Sequence, residues 1–265
     1  MPILHIILVA LVQGITEFLP VSSSGHLILL PKLTGLADQG LVMDVAVHVG
    51  TLGAVLLYFR ADVARAIRGL FRLTDRTDPD ARLALGLIVG TIPVVLAGLM
   101  LKLSGYDEAL RSVAIVGWAT LIFGLVLYWA DRTGTEEKTS SDWTLADALK
   151  MGLWQVIALI PGTSRSGITI TGARQLGYNR SDAARLAMLM SIPTIIASGT
   201  LIGIEVAATM DAAAARDGAI AAAFAFLAAL LALHFMMRLL RSVSFTPYVI
   251  YRVALGVVLL AIAYS

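Results

Sequence analysis

Long apolar runs alternate with short polar connections along most of the chain. Six runs approach the ~20 residues that a helix needs to cross ~30 Å of hydrocarbon. They cover residues 41–58, 83–101, 113–130, 186–204, 219–237 and 249–264. This pattern predicts an all-α polytopic membrane protein with six transmembrane helices.

The composition agrees with this prediction and argues against several classes of partner and site. The chain is 58% hydrophobic and 14% charged, with a mean hydropathy of +0.85, whereas a soluble domain carries about 25% charged residues. The net charge is only +2 and the arginines lie mainly in loops, so we expect no nucleic acid partner. The chain has no cysteine, which excludes disulfides and cysteine-ligated metal.

The basic residues in the loops predict an orientation. Residues 60–82 contain six arginines, whereas residues 102–111 contain two basic residues. Residues 132–150 and 238–244 are again basic, and these segments alternate with loops that contain few lysines or arginines. The three basic loops are therefore expected in the cytoplasm. Arg174, Arg180 and Arg185 are expected to act as further cytoplasmic anchors.

Two polar segments interrupt apolar runs where a membrane protein should avoid charge. The first motif, residues 13–26, reads QGITEFLPVSSSGH, and the second motif, residues 155–167, reads QVIALIPGTSRSG. The helical pieces after them are too short to span the bilayer at 1.5 Å per residue. We therefore expect two re-entrant helical hairpins, the first entering from outside and the second from the cytoplasm.

The two motifs also align with each other. An offset of 142 residues pairs Ser22 with Ser164, Ser23 with Arg165 and Ser24 with Ser166, although the prolines are out of step by one. Homologous segments that enter from opposite faces are typical of an inverted repeat with its site at the midplane. We expect one integral membrane domain, 1–265, built from repeats of about 1–130 and 143–265.

The second motif has the parts of a phosphate site. Pro161 and Gly162 end one helix, and Thr163 or Ser164 can cap the next. Free backbone N–H groups at a helix N-terminus, hydroxyl groups and the forked guanidinium of Arg165 all suit an anion.

The first motif supplies groups that could attack a phosphate. Glu17 could serve as a base or as an oxygen ligand for Mg²⁺ or Ca²⁺, with Gln13 on the same helix face. One of the hydroxyls of residues 22–24 could be a nucleophile, and His26 lies three residues beyond Ser23. Asp44 and His48 share another helix face and are weaker candidates for the same cavity.

Together the motifs resemble the two signature motifs of bacterial undecaprenyl-diphosphate phosphatases, the bacitracin-resistance family, and the resemblance extends end to end. It implies hydrolysis of undecaprenyl diphosphate to undecaprenyl phosphate at the outer, periplasmic face of the bacterial inner membrane, which recycles the lipid carrier for peptidoglycan synthesis and confers bacitracin resistance. It also implies a divalent cation. Gln13 and Glu17 match the Gln form of the family's first motif, which leaves one carboxylate fewer for a metal.

The resemblance also implies roles for individual residues. Ser23 would be the nucleophile, with Ser22 as the alternative, and Glu17 and His26 would be base and acid. The diphosphate would be held by a set of residues from both motifs: Arg165, Ser164, Ser166, Thr169, Ser22, Ser24 and Gly162.

A transporter remains the competing interpretation, because inverted repeats with broken helices are common in secondary carriers. A carrier of lipid phosphates would need the anion site but no nucleophile. The sequence also leaves a homodimer open.

Overall fold

The computed structural model describes residues 2–35, 39–75, 77–106, 109–207 and 211–265. Within these ranges the chain forms eleven α-helices and three short 3-10 turns, the latter at Ala109–Arg111, Ser140–Asp142 and Ile157–Leu159. The helices are α1 Ile3–Thr16, α2 Ser23–Thr34, α3 Gly40–Tyr58, α4 Arg60–Leu70, α5 Pro79–Ser104, α6 Val113–Thr133, α7 Leu145–Val156, α8 Arg165–Gln175, α9 Arg180–Ala207, α10 Ala212–Leu239 and α11 Thr246–Tyr264.

Six of these helices are long and apolar enough to cross a membrane: α3, α5, α6, α9, α10 and α11. They coincide with the six predicted crossings, which are confirmed at this level. The helices extend beyond the apolar runs because capping decides where they end. In α5, Asp78 accepts a hydrogen bond from the backbone N–H of Asp80, and Gly105 closes the other end in a left-handed conformation.

The basic segment 60–82 contains a helix that the apolar pattern does not predict. Helix α4 directly follows α3, and its Arg65 and Arg68 both bind the carboxylate of Asp80 at the start of α5. Gly69 packs so closely on α5 that a Cβ there would lie 2.0 Å from the Asp80 carbonyl oxygen. Ion pairs and a close backbone contact therefore hold α4, where the sequence shows only a charged loop.

The short helices pack in two pairs, α1 with α2 and α7 with α8. Helix α1 lies against α10, where a Cβ on Gly14 would come within 2.7 Å of the Ala225 carbonyl oxygen. Helix α7 lies against α5, where a Cβ on Gly152 would come within 2.3 Å of the Gly90 carbonyl oxygen. Each pair therefore rests on a long helix through a glycine contact.

The prediction that Arg174 anchors the chain at the cytoplasmic surface is wrong. This side chain is fully buried and donates hydrogen bonds to Asp131 and to the carbonyl oxygens of Gly134 and Tyr178. It therefore stabilises the protein interior and does not lie at the membrane surface. Arg180 shares the Asp131 carboxylate, and Arg185 binds Asp62 of α4 through two nitrogens.

Candidate active site

Two turns of matching geometry carry the candidate site. The first turn, residues 17–22, joins α1 to α2, and the second turn, residues 157–164, joins α7 to α8. Each ends in a serine with positive φ, 73° at Ser22 and 69° at Ser164, which is uncommon for any residue but glycine. Each of these serines accepts a hydrogen bond from the glycine N–H three residues later. The sequence alignment of the motifs thus corresponds to similar backbone geometry at these two serines.

The turns meet through two cross-bonds. The Gly162 N–H donates to Ser24 Oγ at 3.0 Å, and Ser166 Oγ donates to the Leu19 carbonyl oxygen at 3.0 Å. Positions 142 apart therefore play matching roles, each serine satisfying a backbone group of the opposite turn. The expected meeting of the two motifs is confirmed by these contacts.

A cavity of about 180 Å³ opens where the turns meet. Both turns and α3 contribute to its lining: Glu17, Ser23, Ser24, His48, Ala158, Ile160, Gly162, Ser164 and Arg165. Hydroxyl, carboxylate, imidazole and guanidinium groups therefore face one small space.

Glu17 organises this cavity. Its Oε2 accepts hydrogen bonds from Ser23 Oγ at 3.0 Å and from Gln13 Nε2 at 2.7 Å. Its Oε1 accepts from Arg165 Nη2 at 2.5 Å, while Arg165 Nη1 donates to the Ser191 carbonyl oxygen. Glu17 is only 9% exposed, and charge-assisted bonds of this kind favour its ionised form. Ser23 thus donates its proton towards a buried carboxylate that is held in place by a cation.

The two imidazoles point in different directions. His26 donates from Nδ1 to the Ser22 carbonyl oxygen and accepts at Nε2 from the Tyr251 hydroxyl at 2.6 Å. It is absent from the cavity lining. His48 lines the cavity. Its Nδ1 donates to the Asp44 carbonyl oxygen, and its Nε2 accepts from Gln13 Nε2 at 3.1 Å and lies 3.8 Å from Glu17 Oε2. The structure therefore brings His48, and not His26, into the space beside Ser23.

The remaining predicted residues mostly build the turns. Ser22 is 2% exposed and lies 3.1 Å from Ser24 through their hydroxyl oxygens. Thr169 donates to the Arg165 carbonyl oxygen inside α8. Gly162 has φ +94°, and a Cβ there would lie 2.3 Å from the Val116 carbonyl oxygen, so this position needs glycine.

Sequence reasoning missed two residues of α11. Tyr251 binds His26, and Arg252 binds the carbonyl oxygens of Gly162 and Thr163 in the second turn. Arg252 could have been identified as a candidate from the sequence, because it is a charged residue inside the predicted crossing 249–264. Tyr251 could not, since only the fold shows which side of α11 faces α2.

Comparison with known proteins identifies the family. A family model described as bacitracin resistance protein BacA matches residues 6–258. The chain belongs to this family. An undecaprenyl-diphosphatase of Ruegeria pomeroyi is 72% identical over 267 residues, with 100% of both chains covered. One from Dinoroseobacter shibae is 67% identical with the same coverage. Undecaprenyl-diphosphatase 1 of Rhodospirillum rubrum is 48% identical over 100% of this chain and 96% of its own.

Membership in this family confirms the resemblance drawn from the two motifs. It also confirms the prediction that the chain is an enzyme of the phosphatase class. The six apolar helices agree with a multi-pass membrane protein.

The residues predicted to hold a cation have one feature that fits this role. Gln13 Oε1 is buried without a hydrogen-bond partner, and Nε2 of the same amide contacts the Glu17 carboxylate. An amide oxygen beside a carboxylate suits a hard cation such as Mg²⁺ or Ca²⁺. No group of three or more acidic, histidine or cysteine side chains with metal-site spacing occurs in the part of the chain that the structure describes, so such a cation would rely on substrate oxygens or water as well.

Proposed function

We propose that this protein hydrolyses undecaprenyl diphosphate to undecaprenyl phosphate and inorganic phosphate. The observation that carries the proposal is the hydrogen bond from Ser23 Oγ to Glu17 Oε2, in a cavity that Arg165 also lines. A nucleophile, a base and a cationic anion site within one polar space are what phosphate hydrolysis requires. The names of the relatives supply the substrate.

In this mechanism Ser23 Oγ attacks the terminal phosphorus. The Ser23 proton moves to Glu17 as the Oγ–P bond forms and the bond to the bridging oxygen breaks. Undecaprenyl phosphate leaves, and water then hydrolyses the phosphoserine to regenerate Ser23 and release phosphate. Ser23 is favoured over Ser22 because it lines the cavity and contacts Glu17, whereas the Ser22 hydroxyl is buried against Ser24 and Gly25.

Arg165 is proposed to stabilise the charge that develops on the phosphoryl oxygens, helped by Ser164, Ser24 and backbone N–H groups at the start of α8. Its guanidinium has five donor hydrogens, so it can keep Glu17 in position while it binds phosphate. Ser166, Thr169, Ser22 and Gly162 would support this site by holding the turns.

The proton for the leaving oxygen is proposed to come from an imidazole near the cavity. His26 is the residue expected from the family resemblance, but it does not line the cavity. His48 lines the cavity and is therefore favoured as the donor. Comparing His26→Ala with His48→Ala decides between them, since the donor's loss should lower kcat most for substrates with poor leaving groups.

A divalent cation bound by Glu17 and Gln13 would neutralise diphosphate charge and help orient the terminal phosphate. Gln13 would supply its free amide oxygen. Replacing Gln13 with leucine should then raise the cation concentration needed for half-maximal activity.

We further propose that the two short-helix pairs are re-entrant hairpins of an inverted repeat, in the inner membrane and with the cavity open to the periplasm. Support comes from the contacts, in which α1 packs on α10 of the second half while α7 packs on α5 of the first. The similar φ angles of Ser22 and Ser164 support the same symmetry. Recycling of the lipid carrier and bacitracin resistance follow from this location and activity. Nothing in the described ranges indicates a homodimer, and none is proposed.

Phosphate release by purified protein from undecaprenyl or farnesyl diphosphate tests the proposal. Wild type should release phosphate, Ser23→Ala should lose it, and Ser22→Ala should retain it if its turn still folds. A protein that binds or transports the lipid without releasing phosphate would support the transporter interpretation. Near-wild-type turnover in Ser23→Ala would exclude Ser23 as nucleophile.

A further inference from the structure

Two arginines are completely buried in the described part of the chain, and their surroundings differ. Arg174 forms an ion pair with the carboxylate of Asp131. Arg252 in α11 forms no ion pair with any carboxylate in the described ranges, and its Nη1 has no hydrogen-bond partner. A buried cation without a counter-charge is strongly unfavourable unless something compensates it. Arg252 therefore calls for a functional explanation that Arg174 does not.

The contacts of Arg252 lie on the back of the second turn. Its Nη2 donates to the carbonyl oxygens of Gly162 and Thr163, at 3.2 and 2.8 Å, and its Nε donates to that of Thr120. In a trans peptide the N–H points opposite to the C=O. Because Arg252 holds the Thr163 carbonyl oxygen, the N–H of Ser164 points away from Arg252, and Ser164 lines the cavity.

The free Nη1 lies beside the first turn of α8. A Cβ on Gly167 would lie only 2.8 Å from it, so the glycine makes room for the guanidinium. The N-terminus of α8 already carries partial positive charge, and Arg165 at this end is paired with Glu17. The positive charge of Arg252 therefore has no counter-charge among the described residues, and it lies beside the N-terminus of α8, which is next to the cavity.

We propose that Arg252 is a positioning residue for the diphosphate group. It holds the second turn with the Ser164 N–H pointing away from the guanidinium, and its unpaired charge raises the affinity of the cavity for a phosphate or diphosphate anion. The inference rests on the proposed function for the identity of its ligand, but the anion affinity is measurable without turnover.

The first experiment measures the affinity of detergent-purified protein for pyrophosphate, from the rise in thermal midpoint as pyrophosphate is added. Arg252→Met should weaken this affinity by about 10–100-fold, the equivalent of one charged hydrogen bond or more. Arg252→Lys, which keeps the charge but not the fork, should fall between Arg252→Met and wild type. The KM for farnesyl diphosphate should rise in the same order.

Arg174→Lys is the matched control, because it alters an equally buried arginine at a distance from the second turn. It should lower the thermal midpoint without changing pyrophosphate affinity. Gly167→Ala is the second variant, whose Cβ would lie 2.8 Å from Arg252 Nη1 and 3.2 Å from Ser164 Oγ. It crowds the guanidinium most closely without removing it and keeps the proposal testable if Arg252→Met does not fold. It should weaken pyrophosphate binding as well.

Two results overturn the inference. One is a folded Arg252→Met or Arg252→Lys that binds pyrophosphate like wild type. The other is a folded Gly167→Ala with unchanged affinity. Either can occur while wild type still releases phosphate, which would leave the proposed function intact. Conversely, Arg252-dependent pyrophosphate binding without phosphate release by wild type would reject the proposed function and keep this inference.

Discussion

Replacing Glu17 with glutamine separates base catalysis from substrate binding. The carboxylate accepts a hydrogen bond from Ser23 through Oε2 and one from the Arg165 guanidinium through Oε1. Glutamine has nearly the same shape and its carbonyl oxygen can still accept a hydrogen bond, but it cannot take up the serine proton. The substitution therefore removes the base without changing the size of the cavity.

The expected magnitudes differ for the two kinetic constants. General base catalysis contributes about 10²–10⁴-fold, so kcat should fall by that factor. Binding should respond in the opposite direction, because a carboxylate about 5 Å from a phosphate oxygen repels it by roughly 3 kcal/mol at an effective dielectric constant of 20. At a saturating concentration of divalent cation, which offsets the loss of Glu17 as a cation ligand, loss of this repulsion together with release of Arg165 should leave KM unchanged or lower it.

Initial rates of phosphate release from farnesyl diphosphate in detergent micelles measure both constants. Glu137→Gln is a suitable control, since it makes the same chemical change at an exposed position in the connection after α6. A Glu17→Gln variant with kcat within about threefold of wild type would refute the assignment of Glu17 as base. A large rise in KM with kcat retained would instead make Glu17 a binding residue.

Two further predictions concern stability. Gly152→Ala should lower the thermal midpoint, at a cost of about 1–3 kcal/mol from overpacking, because its Cβ would lie 2.3 Å from the Gly90 carbonyl oxygen; Gly199→Ala, with no atom within 4 Å, should not. Burial and a hydrogen bond to Asp147 raise the pKa of Tyr178, so the stability that its neutral form provides should be complete below about pH 10, the usual tyrosine range, and should decline above it. Thermal midpoints between about pH 8 and 11 should therefore fall less steeply in Tyr178→Phe, and equal slopes would contradict this reasoning.

The sequence allowed the main parts of the fold and site to be predicted because their signals are local. Apolar run length determines where a helix can span, and the six crossings follow from it. Charged and hydroxyl residues inside apolar runs marked Glu17, Ser23 and Arg165, and these three do lie together. Proline and glycine marked where the helices break.

The missing parts depend on which helix faces meet, which no local pattern specifies. His26 was expected at the cavity, yet its ring turns to Tyr251, 225 positions later in the chain. His48 was considered only a weak candidate because nothing in its surroundings indicates that α3 presents it to Glu17. The left-handed conformation of Ser22 and Ser164 is likewise imposed by the packing of the two turns, since serine does not favour it.

The interlocking of the turns explains why the site needs both motifs. The end of a helix leaves backbone N–H and carbonyl groups without partners, and burial removes the water that could bind them. Here Ser24 satisfies the N–H of Gly162, Ser166 satisfies the carbonyl oxygen of Leu19, and Arg252 satisfies carbonyl oxygens of the second turn. These carbonyl oxygens therefore have donors within the protein, and the cavity beside them is lined by the Ser23, Ser24 and Arg165 donors together with the Glu17 carboxylate. Neither turn completes this arrangement alone, so the cavity depends on the hydrogen bonds that join the two turns.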